Sequence, residues 1–117
     1  MRQWLVDPKK MCKRHLLGEH VEHHMFISIL LKKKNIKGYI ENDLIEPLSL
    51  QQRHDELVEE MISRGYSHNS PLNFNKSILE YLPVEYINHK INRQNSERLL
   101  FLRCNQCGKK HLSIKFF

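Results

Sequence analysis

Between His15 and Phe26 the chain reads HLLGEHVEHHMF, with four His and two Glu in one short run. Imidazoles and carboxylates hold or pass protons, ligate cations and stabilise positive centres near neutral pH. Leu16, Leu17, Met25, Ile27, Leu30 and Leu31 favour a helix here and supply apolar contacts. On a helix, His15, Glu19, Glu22 and Phe26 fall at i, i+4, i+7 and i+11 and share one face. Two readings are open. A partly covered Glu22, near Glu19, His15 and His23, could act as acid or base or steady a cationic centre. The plainer reading is a solvated helix carrying Glu–His pairs.

Metal chemistry has weaker signals. His20 with His24, and Glu19 with His23, stand at i, i+4, and either pair could share a cation. The run lacks the HExxH order, and no second cluster offers a clear third ligand. Cys104-x-x-Cys107, followed by His111, is half a zinc site. A second CxxC is absent. Cys12 could reach over, but nothing in the sequence requires it, so no metal and no cofactor are expected. A thioredoxin-like role lacks its βαβ setting. No nucleophile elbow is present, and with only four Gly there is no phosphate-cradling loop, which excludes kinases and NTPases.

The 117 residues suffice for one domain, expected to span 1–117. A net charge of +6 points to a polyanion, nucleic acid first, or else to a merely basic surface. No apolar run is long enough to span a bilayer, and the start MRQWLVDPKK lacks the apolar core of a signal peptide. With three Cys as well, an intracellular, cytoplasmic protein with no membrane partner is expected.

These residues need elements to hold them. Residues 1–9 read as an extended lead-in, stopped at Asp7-Pro8. A first helix is expected from about Pro8 or Lys10 to about Lys34. Gly18 inside it suggests that something packs closely there, a second segment or a ligand backbone. A loop from Asn35 to Pro47 follows. Ser49 with Gln52 reads as a capping box opening a helix to about Arg64, with Leu57, Val58 and Met61 on its core side and Gly65 as its left-handed end. A short turn is expected over Ser77–Leu82. A third helix is expected from about Ile87 to Arg103, with Ile91, Leu99 and Leu102 inward. The fold class is all-α, a single compact domain of three main helices with an extended N-terminal lead-in.

Three stretches resemble a known family. MRQWLVDPK, CKRHLLGEHVEHH and RHDELVEEMISRGYSHNSPL, spanning most of residues 1–72, are similar to the signatures of the pyrimidine-dimer DNA glycosylases, the phage-type endonuclease V enzymes. The resemblance implies a small, basic, all-helical DNA repair enzyme that needs no metal. Such an enzyme excises UV-induced dimers through a Schiff base on its N-terminal amine and then nicks the strand by β-elimination. It implies Met1 as the nucleophile and Glu22 as the catalytic carboxylate, with Arg2 beside the nucleophile and His15 helping to hold DNA. Arg2 is too large for the usual removal of the initiator Met, so the amine is expected to stay on Met1. An α-amine titrates near pH 7.7–8, so a useful fraction is nucleophilic at neutral pH (about these values).

Many relatives carry Arg where this chain has Val21, and some carry Arg where it has Met25. His20, His23, His24, Arg14 and Arg53 are the residues expected to compensate. His54, Arg64, His68 and Ser70 belong to the second family-like signature, and some are expected to touch DNA. Lys90, Arg93, Arg98 and Lys109 are expected as generic phosphate contacts. The expected partner is double-stranded DNA containing pyrimidine dimers or abasic sites, bound by a monomer. The rivals are the same scaffold acting on another damaged or modified base, an inactive DNA-binding module, and a small metal-binding regulator.

Overall fold

A computed structural model describes residues 1–68 and 70–107. Lys109, His111 and the terminal Phe pair, named from the sequence, lie outside the described residues. Among the described residues the lead-in is followed by five complete α-helices and three 3-10 turns, with no strand. The α-helices are α1 (Lys13–Leu31), α2 (Lys37–Glu41), α3 (Leu50–Ser63), α4 (Val84–Ile87) and α5 (Arg93–Arg103). The three long ones, α1, α3 and α5, make the expected all-α fold. No described helix is long and apolar enough to cross a membrane.

The boundaries differ from expectation for local reasons. Pro8 opens a 3-10 turn (Pro8–Lys10), capped by Asp7, and α1 starts only after Met11 and Cys12 take extended backbone. The Asn35–Pro47 segment is not all loop, because α2 forms within it. Ser49 does not make a capping box. A 3-10 turn (Pro47–Ser49) runs straight into α3, and the Ser49 hydroxyl donates back to the Glu46 carbonyl (2.9 Å). Gly65 does take the left-handed conformation, at φ 85°. The third helix is broken in two. Asp43 accepts from the Asn92 N–H (2.9 Å) and contacts His89 Nε2 (2.7 Å), and Asn92 caps α5 through the Asn95 N–H. Within α5 the buried apolar residue is Leu100, while Leu102 is 68% exposed.

The core has two apolar clusters. One gathers Trp4, Val6, Met11, Leu16, Leu57, Met61 and Leu100. The other gathers Phe26, Ile27, Leu30, Ile36, Ile45, Leu50 and Leu79. Both α1 and α3 pass from one cluster to the other. Where they do, each presents buried polar groups: Glu19, His20 and His23 from α1, Arg53 and His54 from α3. At the centre Arg53 grips Glu19 with two bonds, Nε to Oε2 (2.6 Å) and Nη2 to Oε1 (2.9 Å). Arg53 is 3% exposed and Glu19 is not exposed. Burial alone would lower the Arg53 pKa, but the neighbouring Glu19 outweighs it and the pKa is raised.

Removing one partner leaves an uncompensated buried charge. Arg53→Met is therefore expected to cost about 3–5 kcal/mol in urea unfolding, and the double change Glu19→Leu with Arg53→Met to recover most of it. A loss below about 1 kcal/mol for Arg53→Met would show that the pair does not hold the core.

Candidate active site

The lead-in is held by side chains, not by a sheet. Gln3 is fully buried. Its backbone N–H donates to the Leu44 carbonyl (2.8 Å), and its Oε1 accepts from the Glu46 N–H (2.5 Å). Its Nε2 donates to Ser49 Oγ (3.2 Å) and lies 3.1 Å from His23 Nε2. His23 Nδ1 lies 2.8 Å from the Glu19 carbonyl. With the proton on Nδ1, His23 donates to that carbonyl and accepts from Gln3. Burial pulls the His23 pKa down, in keeping with a neutral ring. Leu5 turns the chain at φ 53°, a left-handed conformation that costs a non-glycine residue about 1–2 kcal/mol.

This anchoring fixes Arg2 and what precedes it. The Arg2 backbone N–H donates to Glu22 Oε2 at 3.0 Å. Bond lengths and angles then keep the Met1 amine within about 7 Å of that oxygen. Glu22 is half-buried and has no ion-pair partner among the described residues. The Arg2 guanidinium lies over the Trp4 ring at 3.9 Å and donates to Ser96 Oγ (2.9 Å), which donates in turn to the Trp4 carbonyl (2.5 Å). Burial, then Arg103, lower the Arg2 pKa. Arg2 thus braces the lead-in. Gln3, Trp4 and Ser96 carried no sequence signal of this, since a clamp built across the whole chain leaves no local pattern.

The shared face of α1 is divided among three neighbours. Glu22 meets the lead-in, Glu19 meets α3, and Phe26 is buried in the core. His15 Nδ1 points at sulfur, 3.2 Å from Cys12 Sγ and 3.6 Å from Cys107 Sγ. An adjoining strip at the same spacing carries Arg14, Gly18, Val21 and Met25, with Val21 54% and Met25 50% exposed. Nothing lies within 4 Å of where a Cβ of Gly18 would stand, so no segment packs on it. The lead-in passes over Glu22 and His23 instead.

The residues expected on DNA separate sharply. Arg53, His54, His20 and His23 are buried and off the surface, held in the polar layer between the two clusters. Arg64 is bound to Glu60 (2.7 Å) and to the carbonyls of Pro8 and Met11, fastening the 3-10 turn. Arg14, Lys90, Arg93 and Arg98 are exposed, with Arg93 reaching Glu46 (3.2 Å) and Arg98 reaching Asn95 (2.8 Å). A cavity on α3 is lined in part by Asp55, Glu56 and Glu59, whose charge repels phosphate.

Two clusters bring ligating atoms together. Ring nitrogens of His20, His54 and His68 lie within 4.8 Å of one another, a different set from the pairs read off one helix. Cys12, His15, Cys104 and Cys107 form the second. In the first, His20 and His68 Nε2 are 3.0 Å apart, and the His24 and His20 rings meet edge to face. Burial, then His54, His68, His24 and His23, lower the His20 pKa to about 4. The unfolded chain protonates this ring near pH 6.5, so below that pH it binds more protons than the folded chain. Stability is thus expected to be full above about pH 6.5 and to fall as pH drops toward about 4. Melting temperatures across that window check this, and His20→Gln should flatten the acid limb.

The sequence was compared with known families and proteins. A sequence model of the pyrimidine dimer DNA glycosylases matches residues 1–74. No curated protein and no solved structure matches. The matched span covers the lead-in, α1, α3 and the polar layer that joins them, and the chain belongs to the pyrimidine dimer DNA glycosylase family.

Proposed function

We propose that the protein is a DNA glycosylase that removes cyclobutane pyrimidine dimers through the Met1 amine, with an accompanying abasic-site lyase activity. The observation that carries this reading is the bond from the Arg2 N–H to Glu22, which keeps a carboxylate beside the amine-bearing end of the chain. The amine nitrogen attacks C1′ of the damaged nucleotide, forming an N–C bond as the base leaves with the glycosidic electron pair. Glu22 steadies the cationic sugar as this charge develops. Ring opening gives a protonated imine between Met1 and C1′. Loss of a C2′ proton, with Glu22 as acceptor, expels the 3′ phosphate and cuts the strand. Water then hydrolyses the imine and restores the amine. Only the neutral amine, with its lone pair free, can attack.

DNA is the substrate that the family and the charge of +6 support. Arg14, Lys90, Arg93 and Arg98 are the exposed cations proposed to meet phosphate. Val21 and Met25 put apolar surface beside Glu22, suited to packing on an unstacked base. Extruding the damaged nucleotide costs a few kcal/mol, and least where stacking is already poor.

Borohydride trapping on duplexes with a single dimer or a single abasic site tests the chemistry, using protein with a free, untagged Met1. A covalent adduct on the dimer duplex that maps to Met1, and falls about 100-fold or more in Glu22→Gln, is expected. An adduct confined to the abasic duplex would transfer the reading to another damaged base. Its absence from both would leave a DNA-binding module. Val21→Arg should add one phosphate contact, tightening binding to undamaged duplex at low salt and steepening the salt dependence by about one counterion.

A further inference from the structure

Cys12 and His15 stand at the head of α1, three positions apart in a C-x-x-H spacing that mirrors Cys104-x-x-Cys107 just beyond α5. The fold brings these half-sites together from opposite ends of the described chain. One atom from each, three Sγ and one imidazole nitrogen, lies within 4.8 Å of all the others. The three Cys are buried and unpaired, and His15 is half-buried.

We propose that these four residues hold one Zn²⁺ in a Cys3His structural site. Around tetrahedral zinc, with Zn–S near 2.3 Å and Zn–N near 2.0–2.1 Å, sulfurs stand about 3.8 Å apart and sulfur stands about 3.6 Å from nitrogen. Cys12 Sγ and Cys104 Sγ are 3.8 Å apart. His15 Nδ1 is 3.2 Å from Cys12 Sγ and 3.6 Å from Cys107 Sγ. The donors are thus already near the spacing that the ion requires. Two backbone amides also aim at the sulfurs: Cys12 N–H at Cys107 Sγ (3.2 Å) and Cys107 N–H at Cys104 Sγ (3.4 Å). Such bonds favour thiolates, the form that binds metal. A merely apolar packing role for three Cys needs neither the amides nor an imidazole nitrogen turned toward sulfur.

The site lies where it can brace the lead-in. The His15 ring meets Trp4 edge to face, at 5.9 Å between centroids, and Trp4 carries the Arg2 guanidinium. Zinc would thus join the segment after α5 to the head of α1 directly behind the residues that position Met1. On binding, the thiols release their protons to solvent and the zinc oxidation state is unchanged. The proposal does not depend on the glycosylase chemistry.

The full-length protein, purified under reducing conditions, is expected to carry one zinc per chain by elemental analysis. Replacement by Co²⁺ should give sulfur-to-cobalt charge-transfer absorption in the near ultraviolet with tetrahedral d–d bands in the visible. His15→Cys should keep the metal and strengthen the charge-transfer band, whereas Cys104→Ser should weaken metal affinity about tenfold or more. Because Cys104→Ser risks misfolding, thiol accessibility of the unaltered protein gives an independent readout. All three thiols should be blocked by bound metal and released by chelator. Three thiols equally reactive with and without zinc would overturn the proposal. So would cobalt bound without charge transfer, which would put it on the imidazoles of His20, His54 and His68. A mass two units low from an internal disulfide in the reduced preparation would also overturn it.

Discussion

The Glu19–Arg53 pair sits where α1 crosses α3, and the geometry of the whole molecule turns on it. Two charges inside the core are costly, and only close, two-point geometry offsets the loss of water. That requirement fixes the rotation of α1 about its axis. With Glu19 turned to α3, Glu22 lies about 60° to one side and faces the lead-in, and His20 lies about 100° to the other. A sliding or rolling of α1 that an apolar contact would tolerate would here strand both charges. The apolar clusters above and below supply most of the driving force, while the pair sets the register.

Much of the fold was legible in the sequence, and the exceptions share a cause. The three long helices follow from apolar spacing and from breakers such as Pro8 and Gly65, which act through nearby residues. The break before α5 does not, because it depends on Asp43, which arrives from a segment far away in sequence. The failed cap at Ser49 is similar, because its hydroxyl accepts from Gln3, 46 residues earlier. Its hydroxyl had a local partner in the expected pattern, but the turn begun at Pro47 offered the Glu46 carbonyl instead.

The candidate site was legible in part for the same reason. Glu22 and Met1 were named from motif resemblance, and their proximity rests on Gln3 and Arg2 finding partners along the chain. Arg53, His54, His20 and His23 looked like surface groups, since charged and titratable residues usually are. They are inside because each meets a partner there: Arg53 meets Glu19, His20 meets His68, His23 meets Gln3 and His54 meets Asp55. The cysteines failed the test of a repeated CxxC, although Cys12 and His15 have the right spacing with a mixed pair of donors.

Arg2 and its partner Ser96 are 94 residues apart. A ribosome makes Arg2 94 residues before Ser96. Until Ser96 is made the Met1 end is present without the hydroxyl that braces Arg2, and Gln3 has no Leu44, Glu46 or Ser49 to meet until those are made. Arg2 is fully braced only after Ser96 has been made. Timing of this kind comes free with a clamp whose two jaws lie far apart along the polypeptide.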